Sequence, residues 1–250
     1  MMYKIYSALL LLIAFACKSE LSEEMTAQAI VDKSIEASGG QLFQNSIVSF
    51  DFRDRHYISD LRGGKKTLIR IFKNDTIHIK DVRTNEGLQR FVNDTLVTLS
   101  DSLANVYANS VNSVHYFSKL PYGLNDPAVQ KELIGEIEIK GQEYYKIKIT
   151  FNQESGGDDF DDTYIYWVNK KTFEADYLGY RFYVDGGGTR FRVAYNKRII
   201  NGIRFVDYEN LKPKDATETI FLADSLYIKG DLELLSKIAL KNVTVDFGNR

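Results

Sequence analysis

The chain of 250 residues carries 32 basic and 34 acidic side chains, three histidines and one cysteine. A net charge of −2 lacks the clustered Lys/Arg that nucleic acid requires, so no nucleic-acid partner is expected. A single thiol excludes an internal disulfide framework and a cysteine-rich zinc site, and three prolines against 16 Tyr and 15 Phe argue against a disordered chain.

One basic residue, Lys4, precedes the continuously apolar run from Ala8 to Ala16. A membrane span needs roughly 20 apolar residues, so this shorter run has the size of a signal-peptide core. Ala14-Phe15-Ala16-Cys17 resembles a bacterial lipobox, whose cysteine is acylated and becomes the new N-terminus. It departs from that pattern in lacking a leading Leu and in holding the bulky Phe15. The same residues also suit ordinary signal peptidase, which would leave Cys17 free. The expectation is a signal peptide over 1–16, lipidation with palmitate at Cys17, a polar tether over 17–24 and one domain over 25–250. Two or more acyl chains give a stable membrane anchor where one does not. Lys18 after the cysteine points, by analogy with lipoprotein sorting, to the outer membrane, with the side on which the domain sits left open.

Ala27, Val31 and Ile35 recur at helical spacing and predict a helix over 25–38, stopped by Gly39-Gly40. From Ile47 the period becomes two. Val48, Phe50 and Phe52 alternate with Ser49, Asp51 and Arg53, a half-buried strand whose return is expected over 67–72 after a turn at Gly63-Gly64. Phe72-Lys73-Asn74-Asp75-Thr76-Ile77 is echoed by Phe91-Val92-Asn93-Asp94-Thr95-Leu96, which reads as two successive hairpins on Asn-Asp turns. Leu103, Val106, Tyr107, Val111, Val114 and Phe117 predict a second helix over 101–119, with Asp101 or Ser102 as N-cap and Pro121 closing it. A short helix is expected over 127–133.

The remainder reads as strand pairs: 134–140 with 144–151, 163–168 with 173–184, 190–196 with 203–211, and a last strand over 243–247. Short turns between consecutive strands mean antiparallel pairing, because a parallel pair needs a crossover of about a dozen residues. Several strands are apolar on both faces: Tyr164, Tyr166 and Val168 back onto Ile165 and Trp167, and Leu178, Tyr180, Phe182 and Val184 back onto Tyr177 and Tyr183. A sheet with one wet face would alternate cleanly, so both faces here need cover from helices, a partner or an apolar cavity.

These segments resemble an uncharacterised family of Gram-negative bacterial lipoproteins. The matching stretches are Ala29-Ile30-Val31-Asp32-Lys33-Ser34-Ile35-Glu36-Ala37-Ser38-Gly39-Gly40, Phe50-Asp51-Phe52-Arg53, Asn112-Ser113-Val114-His115-Tyr116-Phe117 and Leu120-Pro121-Tyr122-Gly123-Leu124-Asn125-Asp126-Pro127. Tyr166-Trp167-Val168-Asn169, Gly186-Gly187-Gly188-Thr189-Arg190-Phe191-Arg192 and Asn201-Gly202-Ile203-Arg204-Phe205 complete the pattern. More distantly, the layout is similar to the LolA/LolB lipoprotein-localisation fold, an incomplete barrel whose concave apolar face, lidded by helices, holds acyl chains. The resemblance implies an α+β fold: a single large antiparallel β-meander curved into a half-barrel, with two or three helices covering the concave face. It carries over no catalytic residue. An aldolase label borne by some members finds no support, because a (β/α)₈ barrel requires alternating βα units and this chain is a meander.

His56, His78 and His115 are scattered, without the pairing of a zinc-protease helix, and read as structural. Asp158-Asp159-Phe160-Asp161-Asp162 lacks the spacing that wraps calcium and reads as a solvated loop. Gly186-Gly187-Gly188 has no following Gly-Lys-Ser/Thr and reads as a hairpin loop rather than a phosphate cradle. Arg181, Arg190, Arg192, Arg198 and Arg204 either line a rim facing an anionic headgroup or pair across strands with Asp185, Asp207 or Glu209. Asp75-Thr76-Ile77, Asp94-Thr95-Leu96, Asp101-Ser102-Leu103 and Asp224-Ser225-Leu226 resemble an O-glycan acceptor motif, and equally fit turn and N-cap chemistry.

With no catalytic constellation, no metal and no cofactor expected, the chain reads as a non-catalytic envelope lipoprotein that binds a lipid or acyl chain in an apolar cavity. A structural or interaction component of an envelope complex is the alternative, and an enzyme with an unrecognised site the third. The expected cavity wall is Phe50, Phe52, Tyr164, Tyr166, Trp167, Tyr180 and Phe182, and the expected polar cluster is Asn112, His115, Arg190 and Arg192. Trp167, the single tryptophan, would report on such a cavity if it lay beside it.

Overall fold

The computed structural model describes residues 25–152, 162–183, 186–215 and 219–248. Cys17, the tether, Asp158–Asp161, Val184 and Asp185 lie outside these residues. In chain order the elements are α1 (Ala27–Ala37), β1 (Ile47–Phe52), β2 (Arg55–Asp60), β3 (Thr67–Asn74), β4 (Ile77–Thr84), β5 (Gly87–Val92), β6 (Thr95–Val97), α2 (Asp101–Ser118) and β7 (Val129–Ile139). There follow β8 (Gln142–Phe151), β9 (Thr163–Asn169), β10 (Ala175–Phe182), β11 (Gly188–Ile200), β12 (Ile203–Pro213), α3 (Ala223–Lys229), β13 (Leu232–Ile238) and β14 (Lys241–Asp246).

The strands form two seven-stranded antiparallel sheets, ordered β14-β1-β2-β3-β4-β5-β6 and β13-β12-β11-β10-β9-β8-β7. This corrects the expected single meander curved into a half-barrel. The meander is interrupted twice. Between β6 and β7 the chain leaves for α2, and the two strands do not pair. Between β13 and β14 it changes sheets, and β14 then pairs with β1, placing Ile47 opposite Asp246 and Ser49 opposite Thr244. Neither sheet closes on itself or on the other.

Local corrections follow from turn and cap chemistry. Arg53 takes a left-handed backbone (φ 57°), so β1 turns at once into β2, and the strand over 67–74 is the third of the sheet rather than the second. The N-cap of α2 is Ser100, whose Oγ accepts from the Leu103 N–H (3.4 Å). The expected helix over 127–133 is instead the start of β7, and the short helical turn falls earlier, at Tyr122–Asn125. The Asn-Asp echo does form two hairpins, β3-β4 and β5-β6, with left-handed backbone at Asp75, Asn93 and Asp94.

The second sheet is covered on both faces. On one, Ile30 and Val31 of α1 pack with Ile147, Tyr166, Val168 and Leu178. On the other, Ile165, Trp167, Tyr177 and Phe191 lie beneath Ile220, Ala223 and Tyr227. Gly179 is required there, since a Cβ would sit 2.5 Å from Ile220 and 3.2 Å from the Trp167 ring. The two sheets meet where Val48, Phe50 and Tyr57 of the first pack with Phe43, Ile203, Phe205 and Val245. Close approach at this seam also needs Gly39 (φ 113°), whose Cβ would lie 3.0 Å from the Ile203 backbone.

Helix α2 is not seated by a broad apolar stripe. Only Val111 and His115 on it are buried, while Leu103 and Val106 are exposed. Polar contacts hold it to the first sheet instead. Register places Arg70, Asp81 and Arg90 in one row across β3, β4 and β5. The wholly buried Asp81 accepts from both guanidiniums, at 2.6 Å each. Arg70 also donates to Ser110 Oγ (2.7 Å), and Arg90 lies 3.4 Å from the centre of the Tyr107 ring, so both arginines reach α2.

Removing one partner of such a network leaves buried charge uncompensated, at a cost of about 3–5 kcal/mol. Asp81→Ala is therefore expected to lower the free energy of urea unfolding by about that amount. Asp54→Ala, which removes an exposed partner of Arg55, should change it by no more than ~1 kcal/mol. Equal losses in the two variants would contradict the role given to Asp81.

Candidate functional site

The C-terminal turns of α2 and its C-cap Lys119 border two cavities. Ser113, Val114, Phe117 and Ser118 line one, and Asn112, His115, Tyr116 and Lys119 line the other. This follows from helical geometry, in which residues three and four apart share a face.

The first cavity is a cleft of about 320 Å³ between α2, the end of β1 and the second sheet. Its sheet wall is set by register. Arg192, Asn210 and Ser236 form one row across β11, β12 and β13, with Tyr208 and Ile238 in the next. Phe52, Val114, Phe117, Val206 and Leu240 supply the rest of the apolar lining. A recess of about 190 Å³ shares Phe52, Arg53, Ser113 and Val114 with the cleft and extends toward Tyr57 and Ser110.

Within the cleft Arg192 is 7% exposed. It donates to the Tyr180 hydroxyl (3.0 Å), and its guanidinium lies 4.2 Å from the Phe117 ring centre and 5.0 Å from that of Tyr180. Among the described residues it has no carboxylate partner, and its Nε lacks a hydrogen bond. The Asn210 amide donates to Ser236 Oγ (3.2 Å) and leaves its Oδ1 unpaired. The cleft thus offers apolar walls, a buried cation stabilised by aromatic faces, and one free carbonyl acceptor.

The second cavity, about 350 Å³, is polar and lies beside His115, Lys119, Lys66 and Asp126. His115 is 1% exposed, packed edge-on against Phe50 and Tyr57. Its Nε2–H donates to the Ile69 carbonyl (3.1 Å), which places the proton on that nitrogen and leaves Nδ1 unpartnered. Burial, reinforced by the Lys119 charge, pushes its pKa down to about 3, and His115 is neutral at physiological pH.

Of the cavity-wall residues expected from the sequence, the structure brings only Phe52 and Tyr180 to the cleft, together with Arg192 of the polar cluster. Tyr164 stacks on Tyr180 (5.5 Å), and Phe50 stacks on Tyr57 (5.3 Å) in the seam between the sheets. Tyr166 is buried in the core beneath α1. Trp167 lies on the opposite face of the sheet, where its Nε1–H donates to Asp224 (3.0 Å), so it does not report on the cleft. Phe182 sits under Arg190 (4.9 Å) and beside Tyr180 (6.0 Å), but neither it nor Arg190 lines the cleft. Asn112 accepts from Arg83 (2.9 Å) and shares the second cavity with His115.

Two of the five rim arginines form ion pairs, Arg198 with the expected Asp207 (2.9 Å) and Arg204 with Asp176 (3.4 Å), while Arg181, Arg190 and Arg192 donate to Thr189 Oγ1, the Thr189 carbonyl and the Tyr180 hydroxyl. Sequence reasoning missed Val206, Tyr208 and Asn210 of β12 and Ile238 of β13, because β12 is buried on both faces while polar and apolar residues mix on each, so its alternation marks neither. Among the described residues no group of three or more His, Cys, Asp and Glu is arranged to hold a metal ion.

Because His115 is held neutral well below its ordinary value near 6.5, the unfolded chain takes up this proton first as the pH falls. Its contribution to stability is complete above pH 6.5 and is lost as the pH drops from there toward 3, by about 1.4 kcal/mol per pH unit. His115→Gln should flatten the dependence of unfolding free energy on pH between 6.5 and 5 by close to one proton. An unchanged slope would contradict the neutral, buried imidazole.

The sequence matches, over residues 4–240, the model of a family of unknown function, DUF6503. No curated protein matches it. The fold is similar to that of a DUF1329-family protein from Desulfovibrio piger, with a TM-score of 0.50 and 13% identity, covering 90% of this chain and 95% of that one. It is also similar to a LolA-superfamily protein from Nitrosomonas europaea, with a TM-score of 0.45 and 15% identity, covering 88% of this chain and 91% of that one. At these identities the likenesses concern the fold alone. With nearly its whole length matched by the family model, the chain belongs to the DUF6503 family.

Proposed function

We propose that this protein is a non-catalytic lipoprotein of the bacterial envelope, anchored at the outer membrane through Cys17, that binds a lipid or acyl chain in the cleft between α2 and the second sheet. The observation that carries this reading is the pairing of an apolar cleft of about 320 Å³ with the buried, carboxylate-free Arg192 at its wall. Its volume falls at the small end of the range for small-molecule sites, roughly 300–1,000 Å³. An amphiphile satisfies both features at once. Its chain removes apolar surface from water, and its polar end meets the guanidinium, which among the described residues is paired with no carboxylate. The short apolar run ahead of Cys17 supports the anchor.

A second reading, an interaction component of an envelope complex, is favoured by Leu96, Leu103 and Val106. These are exposed around the passage from the edge strand β6 into α2.

Delipidated protein is expected to bind a fluorescent fatty acid, and Val114→Trp, which fills the cleft, should weaken binding at least tenfold. Arg192→Met should weaken binding of the fatty acid by about tenfold, the equivalent of ~1.4 kcal/mol, while sparing the corresponding alcohol. Absence of binding, or binding indifferent to Val114→Trp, would overturn the cleft as the site and leave the interaction reading.

A further inference from the structure

The geometry points to a second binding site, on the opposite side of α2 from the cleft, for a small molecule bearing an oxyanion group, phosphate or carboxylate. It stands independently of the lipid reading, because the two cavities share no lining residue.

The cavity of about 350 Å³ gathers Lys65, Lys66 and Lys119 around one carboxylate, Asp126. Among the described residues none of the three lysines forms an ion pair. Lys65 and Lys66 reach solvent at the mouth, but Lys119 is 8% exposed, an ammonium taken out of water without an anion against it. Burying a charge in this way costs several kcal/mol unless something compensates it. The C-terminal end of α2, which Lys119 caps, and the field of Asp126 offset only part of that cost. Beside it, His115 carries its proton on Nε2 and gives no donor to an anion, while Asn112, whose Oδ1 is engaged by Arg83, can donate from its amide nitrogen. An oxyanion seated among these groups would supply the missing countercharge to Lys119 and Lys66.

The titratable groups that share the cavity with Lys119 are Lys65, Lys66, His115, Asp126, Tyr116 and Tyr122, with Arg83 acting on Lys66 and Arg70 on His115. Burial and the Lys66 charge bring Lys119 down to about 8, and burial and Arg83 lower Lys66 as well. Tyr116 and Tyr122 are raised above their ordinary values and His115 stays neutral, so loss of the Lys119 proton dominates between pH 7 and 9.

The test is calorimetric titration of the protein with sulfate, whose charge is constant over this range, with inorganic phosphate, and with dihexanoyl phosphatidic acid. Binding of at least one is expected, with sulfate affinity falling several-fold from pH 7 to pH 9. Preference for phosphate identifies a free solute as the source, and preference for the phosphatidic acid a lipid headgroup. Lys119→Met should reduce affinity at least tenfold while raising the thermal midpoint of the ligand-free protein, because it removes an unpaired buried charge. Lys66→Met, at an exposed position, should weaken binding in a protein of unchanged stability. No binding of any of the three anions, or binding that survives both substitutions, would overturn the proposal, whatever the cleft does with the fatty acid.

Discussion

Asp81 holds two arginines that both reach α2, and the rest of the molecule's functional geometry depends on that arrangement. The helix buries too little apolar surface to choose its own seat: Leu103 and Val106 face solvent, and Val111 is its single fully buried aliphatic residue. Its position is set from below, by Arg70 on Ser110, Arg90 on Tyr107 and Arg83 on Asn112. A buried ionic row is a poor source of net stability but a strong one of geometry, since each member is costly to leave unpaired. Here it fixes α2 against the first sheet, while Phe117 on the helix's cleft side packs on aromatic rings of the second, at Tyr164 and Tyr180.

That division explains why one helix serves two unlike cavities. Turning about 100° per residue, α2 presents Val114 and Phe117 toward the second sheet and His115 and Lys119 toward the chain around Lys66 and Asp126. The apolar cleft and the cationic cavity lie on opposite faces of the same cylinder. Arg192 and Lys119 are buried cations of different kinds: the first is solvated by aromatic faces and a phenol, the second only by the field of a distant carboxylate and a helix end.

Local periodicity made most of the strands and both long helices legible, because alternation and helical spacing are properties of neighbours in sequence. Which sheet each strand joins was not. The pairing of β1 with β14 links residues at opposite ends of the domain and leaves no trace in either segment alone. The Arg70-Asp81-Arg90 row was within reach, since the turns at Asp75-Thr76 and Asn85-Glu86 place these residues opposite one another. The expected aromatic wall scattered because β9 and β10 are apolar on both sides. Tyr166 and Trp167, one residue apart, serve separate cores, and only Tyr180 and Phe52 reach open space. The burial of Lys119 at the end of α2 has no counterpart in the local sequence pattern, because it depends on residues distant in the chain such as Leu61 and Leu68 around the same cavity.

The account stands most directly on whether the cleft beside α2 is open and occupied in the native protein. A crystal structure of the full-length chain, purified from its own membranes without delipidation, decides this. The account predicts elongated density between Phe117 and Tyr208 with its polar end at Arg192. A cleft without density, closed by the Phe117 ring packed on Val206 and Tyr208, would contradict it.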